Sequence, residues 1–106
     1  MTEIRGADAP WARLEVVVRG RVQGVGFRMF AADAATDRGL TGWVANEPDG
    51  SVRCVAEGPR ADLEAFARDL AAGPYGATVG GLALTWSEAL DAFDRFTIRS
   101  GWHGGD

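Results

Sequence analysis

The chain has one cysteine, Cys54, and one histidine, His103, among its 106 residues. A lone thiol excludes an internal disulfide, and with one imidazole it cannot build a Cys/His zinc site, so stability must come from packing. No apolar run approaches the roughly 18 residues that mark a membrane span. The opening MTEIRGADAPWAR lacks an apolar stretch behind a basic start, so no secretory signal is read there and a cytoplasmic address is the expectation. Positive charge is scarce, with 11 basic against 15 acidic residues and a net charge of -4. That is a poor field for sequence-independent nucleic-acid binding, so neither nucleic acid nor membrane is an expected partner. Acidic residues are absent in turn from one stretch: residues 16–32 carry Arg19, Arg21 and Arg28 and no Asp or Glu, an island of positive charge suited to a small anion.

What remains is the composition of an ordinary globular domain, 46% hydrophobic and 25% charged. A chain of this size buries about 65% of its unfolded surface and makes one domain. Leu14, Val16 and Val18 share one face of a β-branched segment, Arg13–Arg19, which predicts a first strand. After GRVQGVG at 20–26, the apolar residues Phe27, Phe30, Ala31, Ala34 and Ala35 recur at helical spacing, and Gly39 closes that helix. Residues 40–47, the turn Pro48-Asp49-Gly50 and the alternating SVRCVAE at 51–57 predict a hairpin. A second helix opens at Gly58-Pro59, buries Leu63, Phe66, Ala67, Leu70 and Ala71, and stops at Gly73-Pro74. Strand-like segments at Thr78–Trp86 and Arg95–Ser100 flank an acidic loop. The order βαββαβ plus a short final strand is an α+β plan, the ferredoxin-like α/β sandwich with two helices on one face of an antiparallel sheet. The domain is placed at 12–100, with 1–11 and 101–106 expected to fray. Fold alone names no function, since this plan hosts many chemistries.

The glycine-rich loop has two readings. Three glycines in GRVQGVG can simply reverse the chain. They also allow main-chain N–H groups to face a ligand at the positive end of the following helix, where Arg28 adds a two-pronged donor. The spacing is neither a dinucleotide fingerprint nor a Walker loop. Asn46 likewise reads as a turn former ahead of Pro48 or as a polar site group.

GRVQGVGFR at 20–28 resembles the first signature of the acylphosphatase family at every position, and GWVANEPDGSVRCVAEG at 42–58 resembles the second. The similarity runs over about residues 12–100, through Gly73–Ala77 and Phe96-Thr97-Ile98; Ala45 stands where the family often has a basic or long residue. The resemblance implies hydrolysis of the carboxyl-phosphate bond of acyl phosphates, without metal or cofactor. In that family the Arg of the first signature holds the phosphate and the Asn of the second positions the attacking water. Here these are Arg28 and Asn46, with Gly20, Arg21, Val22, Gln23, Gly24, Val25, Gly26 and Phe27 as the phosphate-binding loop. Inorganic phosphate is then product and expected competitive inhibitor, and a monomer is expected.

Residues 16–32 offer no Asp, Glu or His as general base, so the water's proton must go to a phosphoryl oxygen of the substrate itself. Asp33 and Asp37, four apart, are expected as solvated helix surface rather than metal ligands, Cys54 as a buried inert thiol and His103 as a bystander. Trp43 packs on the sheet or lines the site mouth, and Trp11, Trp86 and Trp102 read as core or edge packing. The rival functions are a non-catalytic anion-binding domain and a ferredoxin-like RNA binder. The RNA binder is disfavoured by the acidic balance and the lack of a stacking motif.

Overall fold

The alternation of Leu14, Val16 and Val18 is the middle of a longer strand, β1 (Trp11–Arg21), in a computed structural model that describes residues 9–100. There follow α1 (Phe27–Asp37), β2 (Thr41–Asn46), β3 (Val52–Pro59), α2 (Arg60–Ala72), β4 (Thr78–Glu88) and β5 (Phe96–Arg99). The sheet order is β4-β1-β3-β2-β5. The first four strands pair antiparallel as expected, but β5 runs parallel to β2 and makes the sheet mixed. An amphipathic strand carries no sign of its direction, so this pairing is set by the route of the residues before it. The expectations for Trp102, His103 and the fraying ends at 1–8 and 101–106 lie outside the described residues, whereas Trp11 pairs with Pro59.

The core lies between the sheet and the helices. Leu14, Val16 and Val18 of β1 and Val52, Cys54 and Ala56 of β3 meet Phe27, Ala31 and Ala35 of α1 and Leu63, Phe66, Ala67 and Leu70 of α2. Phe66 meets Phe96 of β5 edge-on, with ring centroids 6.0 Å apart, which ties the short fifth strand to the helix layer. Ala71, expected in that stripe, is exposed at the last turn. Pro59 is the extended N-cap of α2 and the last residue of β3 rather than the first helical residue. Gly20 belongs to β1, at a bulge where pairing shifts between Arg19 and Gly20. It has φ +126°, and a Cβ there would sit 2.2 Å from the Thr78 carbonyl oxygen.

Opposite the helices, polar residues of β1 and β3 are covered in part by the β4–β5 loop. Glu57 is fully buried there. Its carboxylate accepts Arg13 Nε at 2.8 Å, Leu90 N–H at 2.8 Å and Ala92 N–H at 3.4 Å. Trp43 sits on this face beneath the guanidinium groups of Arg99 and Arg53, at 4.3 and 5.7 Å from the ring. Trp86 is capped by Arg60 at 3.9 Å, and Trp11 is left exposed at the edge.

Candidate active site

The loop after β1 turns sharply because its glycines take angles other residues avoid. Gly26 is the N-cap of α1 in the left-handed region, with φ 78°, and no side chain caps the helix. The first turn of α1 contains no acidic residue, so its unpaired N–H groups and positive dipole end are not neutralised by its own sequence. Arg28 follows one residue into the helix, and its Nη1 donates to the Arg99 carbonyl of β5 at 3.3 Å.

These groups open onto a cavity of about 270 Å³, lined by Val22, Gly24, Gly26, Phe27, Arg28, Met29, Asn46 and Ile98. Four elements converge there: the loop, the start of α1, the end of β2 and β5. Among the described residues Arg28 is the one charged group of this lining, and no carboxylate or imidazole of theirs joins it. Asn46 is 3% exposed, so its amide lies in the wall rather than on a solvated turn. Such an amide brings a donor and an acceptor to the cavity at no change of charge. The arrangement can bind an anion and hold a small polar molecule beside it.

Of the loop residues expected at the site, the structure brings Val22, Gly24, Gly26 and Phe27 to the cavity with Arg28 and Asn46. Gly20, Arg21, Gln23 and Val25 are not among the residues lining it. Gly20 and Arg21 pair with Val79 and Thr78 of β4, and Val25 packs against the core. The Gln23 side chain turns to the β2–β3 hairpin. Arg19, one of the three cations of the positive island, pairs with Asp49 at 3.0 Å on the exposed surface. The hydroxyl and N–H of Ser51, with Arg19, hold the Asp49 carboxyl down at about 2.

Met29 and Ile98 carry no local signal of a place at the cavity, because β5 comes beside α1 only through the sheet order. They are 59% and 40% exposed and form an apolar rim. Cys54 is buried and its burial pushes the thiol up, which leaves it inert as expected. Asp33 and Asp37 are exposed on α1, and no group of three or more metal-ligating side chains occurs among the described residues.

The model of the family described as Acylphosphatase matches residues 14–98. The acylphosphatase of Salinibacter ruber is 47% identical over 82% of this chain and 92% of its own. That of Thermus thermophilus is 49% identical over 72% of this chain and 86% of its own. A crystal structure of acylphosphatase from Bacillus subtilis agrees with a TM-score of 0.81 at 40% identity, covering 83% of this chain and 98% of that one. Full-length HypF, in a phosphate- and nucleotide-bound form, has a TM-score of 0.81 at 28% identity over 91% of this chain but only 13% of that much longer one. Identity near one half, sustained over nearly the whole length of relatives that share the fold, places the chain in the acylphosphatase family.

Proposed function

We propose that the chain carries out the family's reaction, hydrolysis of an acyl phosphate to a carboxylate and inorganic phosphate, in the cavity between α1 and the end of β2. The observation that carries this reading is the convergence of Arg28, the uncapped helix N-terminus and the buried amide of Asn46 on one small cavity. The phosphoryl group binds to the N–H groups of the loop and the Arg28 fork, which stabilise its equatorial oxygens. Asn46 holds a water in line with the phosphorus–carboxylate bond. As the water oxygen bonds to phosphorus, that bond breaks, the carboxylate leaves with its electron pair, and a phosphoryl oxygen takes the proton of the water. Among the described residues the cavity lining supplies no general base, which supports this substrate-assisted route. A carboxylate is a good leaving group, so positioning and charge stabilisation are sufficient.

The working unit is residues 12–100 of a single chain, acting as a cytoplasmic monomer that inorganic phosphate inhibits competitively. No helix among the described residues is long and apolar enough to cross a membrane.

Asn46→Ala tests the assignment. Turnover of a simple acyl phosphate should fall by about 10²- to 10³-fold, as when one preorganised polar group is lost from an active site, while inhibition by inorganic phosphate stays near that of the parent. A folded variant that hydrolyses at the parent rate refutes the water-positioning role. Phosphate binding without hydrolysis in the parent makes the chain an anion-binding module instead. Chelator treatment should leave turnover unchanged, and activity lost to EDTA and restored by one metal would expose a missed site.

A further inference from the structure

The side chain of Gln23 leaves the loop and reaches the hairpin between β2 and β3. Its Nε2 donates to the Glu47 carbonyl at 2.8 Å and to the Ser51 carbonyl at 2.9 Å. Each of those oxygens already accepts a bond within the hairpin: Gly50 N–H donates to Glu47 O at 3.1 Å, and Glu47 N–H to Ser51 O at 2.9 Å. Both amide hydrogens of Gln23 are therefore used, on the second acceptor sites of two carbonyls. Glu47 is bonded to Asn46 in the chain, and Ser51 precedes Val52, the register partner of Asn46. Gln23 itself is bonded to Gly24, which lines the cavity.

We propose that Gln23 is a positioning residue whose amide clamps the Asn46 hairpin to the anion loop and so sets where the water stands relative to the bound phosphate. The proposal rests on the water-positioning role of Asn46. Arg28 and Asn46 reach the cavity on different elements, and a displacement of about 1 Å between reacting groups can cost about 10²-fold in rate. A clamp of this kind needs two donors on a neutral group of glutamine length. Methionine has the length without the donors, and a glutamate carboxylate would face two carbonyl oxygens with acceptors only.

Gln23→Met should lower kcat for a simple acyl phosphate by about 10- to 100-fold, while the inhibition constant of inorganic phosphate stays within about 2-fold because the Arg28 fork is untouched. The decisive measurement is a cycle with Asn46→Ala. A clamp that acts through Asn46 has nothing left to position once the amide is gone, so the double variant should lose no more than about 2-fold beyond Asn46→Ala alone. Losses that multiply, a phosphate constant that rises as far as kcat falls, or a folded Gln23→Met enzyme with parent kcat each overturn the proposal. If Gln23→Met does not fold, Gln23→Glu carries the test. Its kcat should be depressed at neutral pH and recover in part relative to the parent as the carboxyl takes up a proton and regains one of the two donors; a pH profile parallel to that of the parent overturns the clamp. Parent-like turnover in Asn46→Ala alone marks failure of the underlying site assignment, and the clamp falls with it.

Discussion

Arg28→Ala should abolish nearly all acyl-phosphate hydrolysis, by about 10³- to 10⁵-fold, the range over which a single arginine stabilises charge in phosphoryl transfer. The size follows from the lining: among the described residues Arg28 is the one charged group at the cavity, beside the N-terminal end of α1. The variant should also lose most of its inhibition by inorganic phosphate, which distinguishes it from Asn46→Ala. Arg28→Lys should fail almost as badly, since an ammonium group is a point charge that cannot hold two phosphate oxygens in a fork. Initial rates, competition by phosphate and a thermal melt on the three proteins settle the matter, and near-parent turnover with lysine would sink the two-pronged contact.

Glu57→Ala should lower stability strongly, towards the cost of about 3 to 5 kcal/mol for removing one partner of a buried ion pair, the carboxylate being fully buried and the Arg13 side chain 21% exposed. The carboxylate is fully buried and collects the Arg13 guanidinium and the N–H groups of Leu90 and Ala92, so its loss strands several donors and frees the β4–β5 loop. Burial pushes the Glu57 carboxyl up, but the Leu90 N–H, Arg13 and the Ala92 N–H outweigh it and hold the group below its ordinary value of 4.5. Folded protein therefore binds this proton more weakly than unfolded protein does. The stabilisation is complete above the unfolded value and is lost as pH falls through the folded one. Glu57→Gln should remove that part of the acid dependence, with a loss of about 1.5 to 3 kcal/mol at pH 7 from weakened charge-assisted bonds. Denaturant titrations across the acid range check both, and a Glu57→Gln curve parallel to the parent's refutes the assignment.

Glu57 also shows where the sequence falls short of the structure. In SVRCVAE it falls on the polar face of an alternating strand, and it does point away from the helices. Its burial comes from a loop more than thirty residues later in the chain, whose N–H groups fold over that face. Arg19 is a parallel case, because its partner Asp49 lies thirty residues on, in the β2–β3 turn beside β1, and removes it from the positive island. Local signals served better. The periodicities of β1, α1 and α2 and the stops at Gly39 and Gly73 are written in neighbouring residues and are found close to where they are expected. The positions of Arg28 and Asn46 could be read from their motifs, because a helix start and a strand end carry them to one end of the sheet. Met29 and Ile98 could not, since their proximity depends on the direction of β5. The Gln23 side chain escaped for a similar reason: nothing local distinguishes an amide aimed at an anion from one aimed at a carbonyl.

The parallel fifth strand has a consequence for the timing of synthesis. Ile98 walls the cavity, and the carbonyl that takes Arg28 belongs to Arg99, 71 residues further along. At about 5 to 20 residues per second on the ribosome, the guanidinium emerges roughly 4 to 14 s before the strand that completes its surroundings emerges. A nascent chain thus carries an anion loop at the head of a helix well before it carries an enclosed site, and the wall that β5 adds is in place only once that strand has emerged.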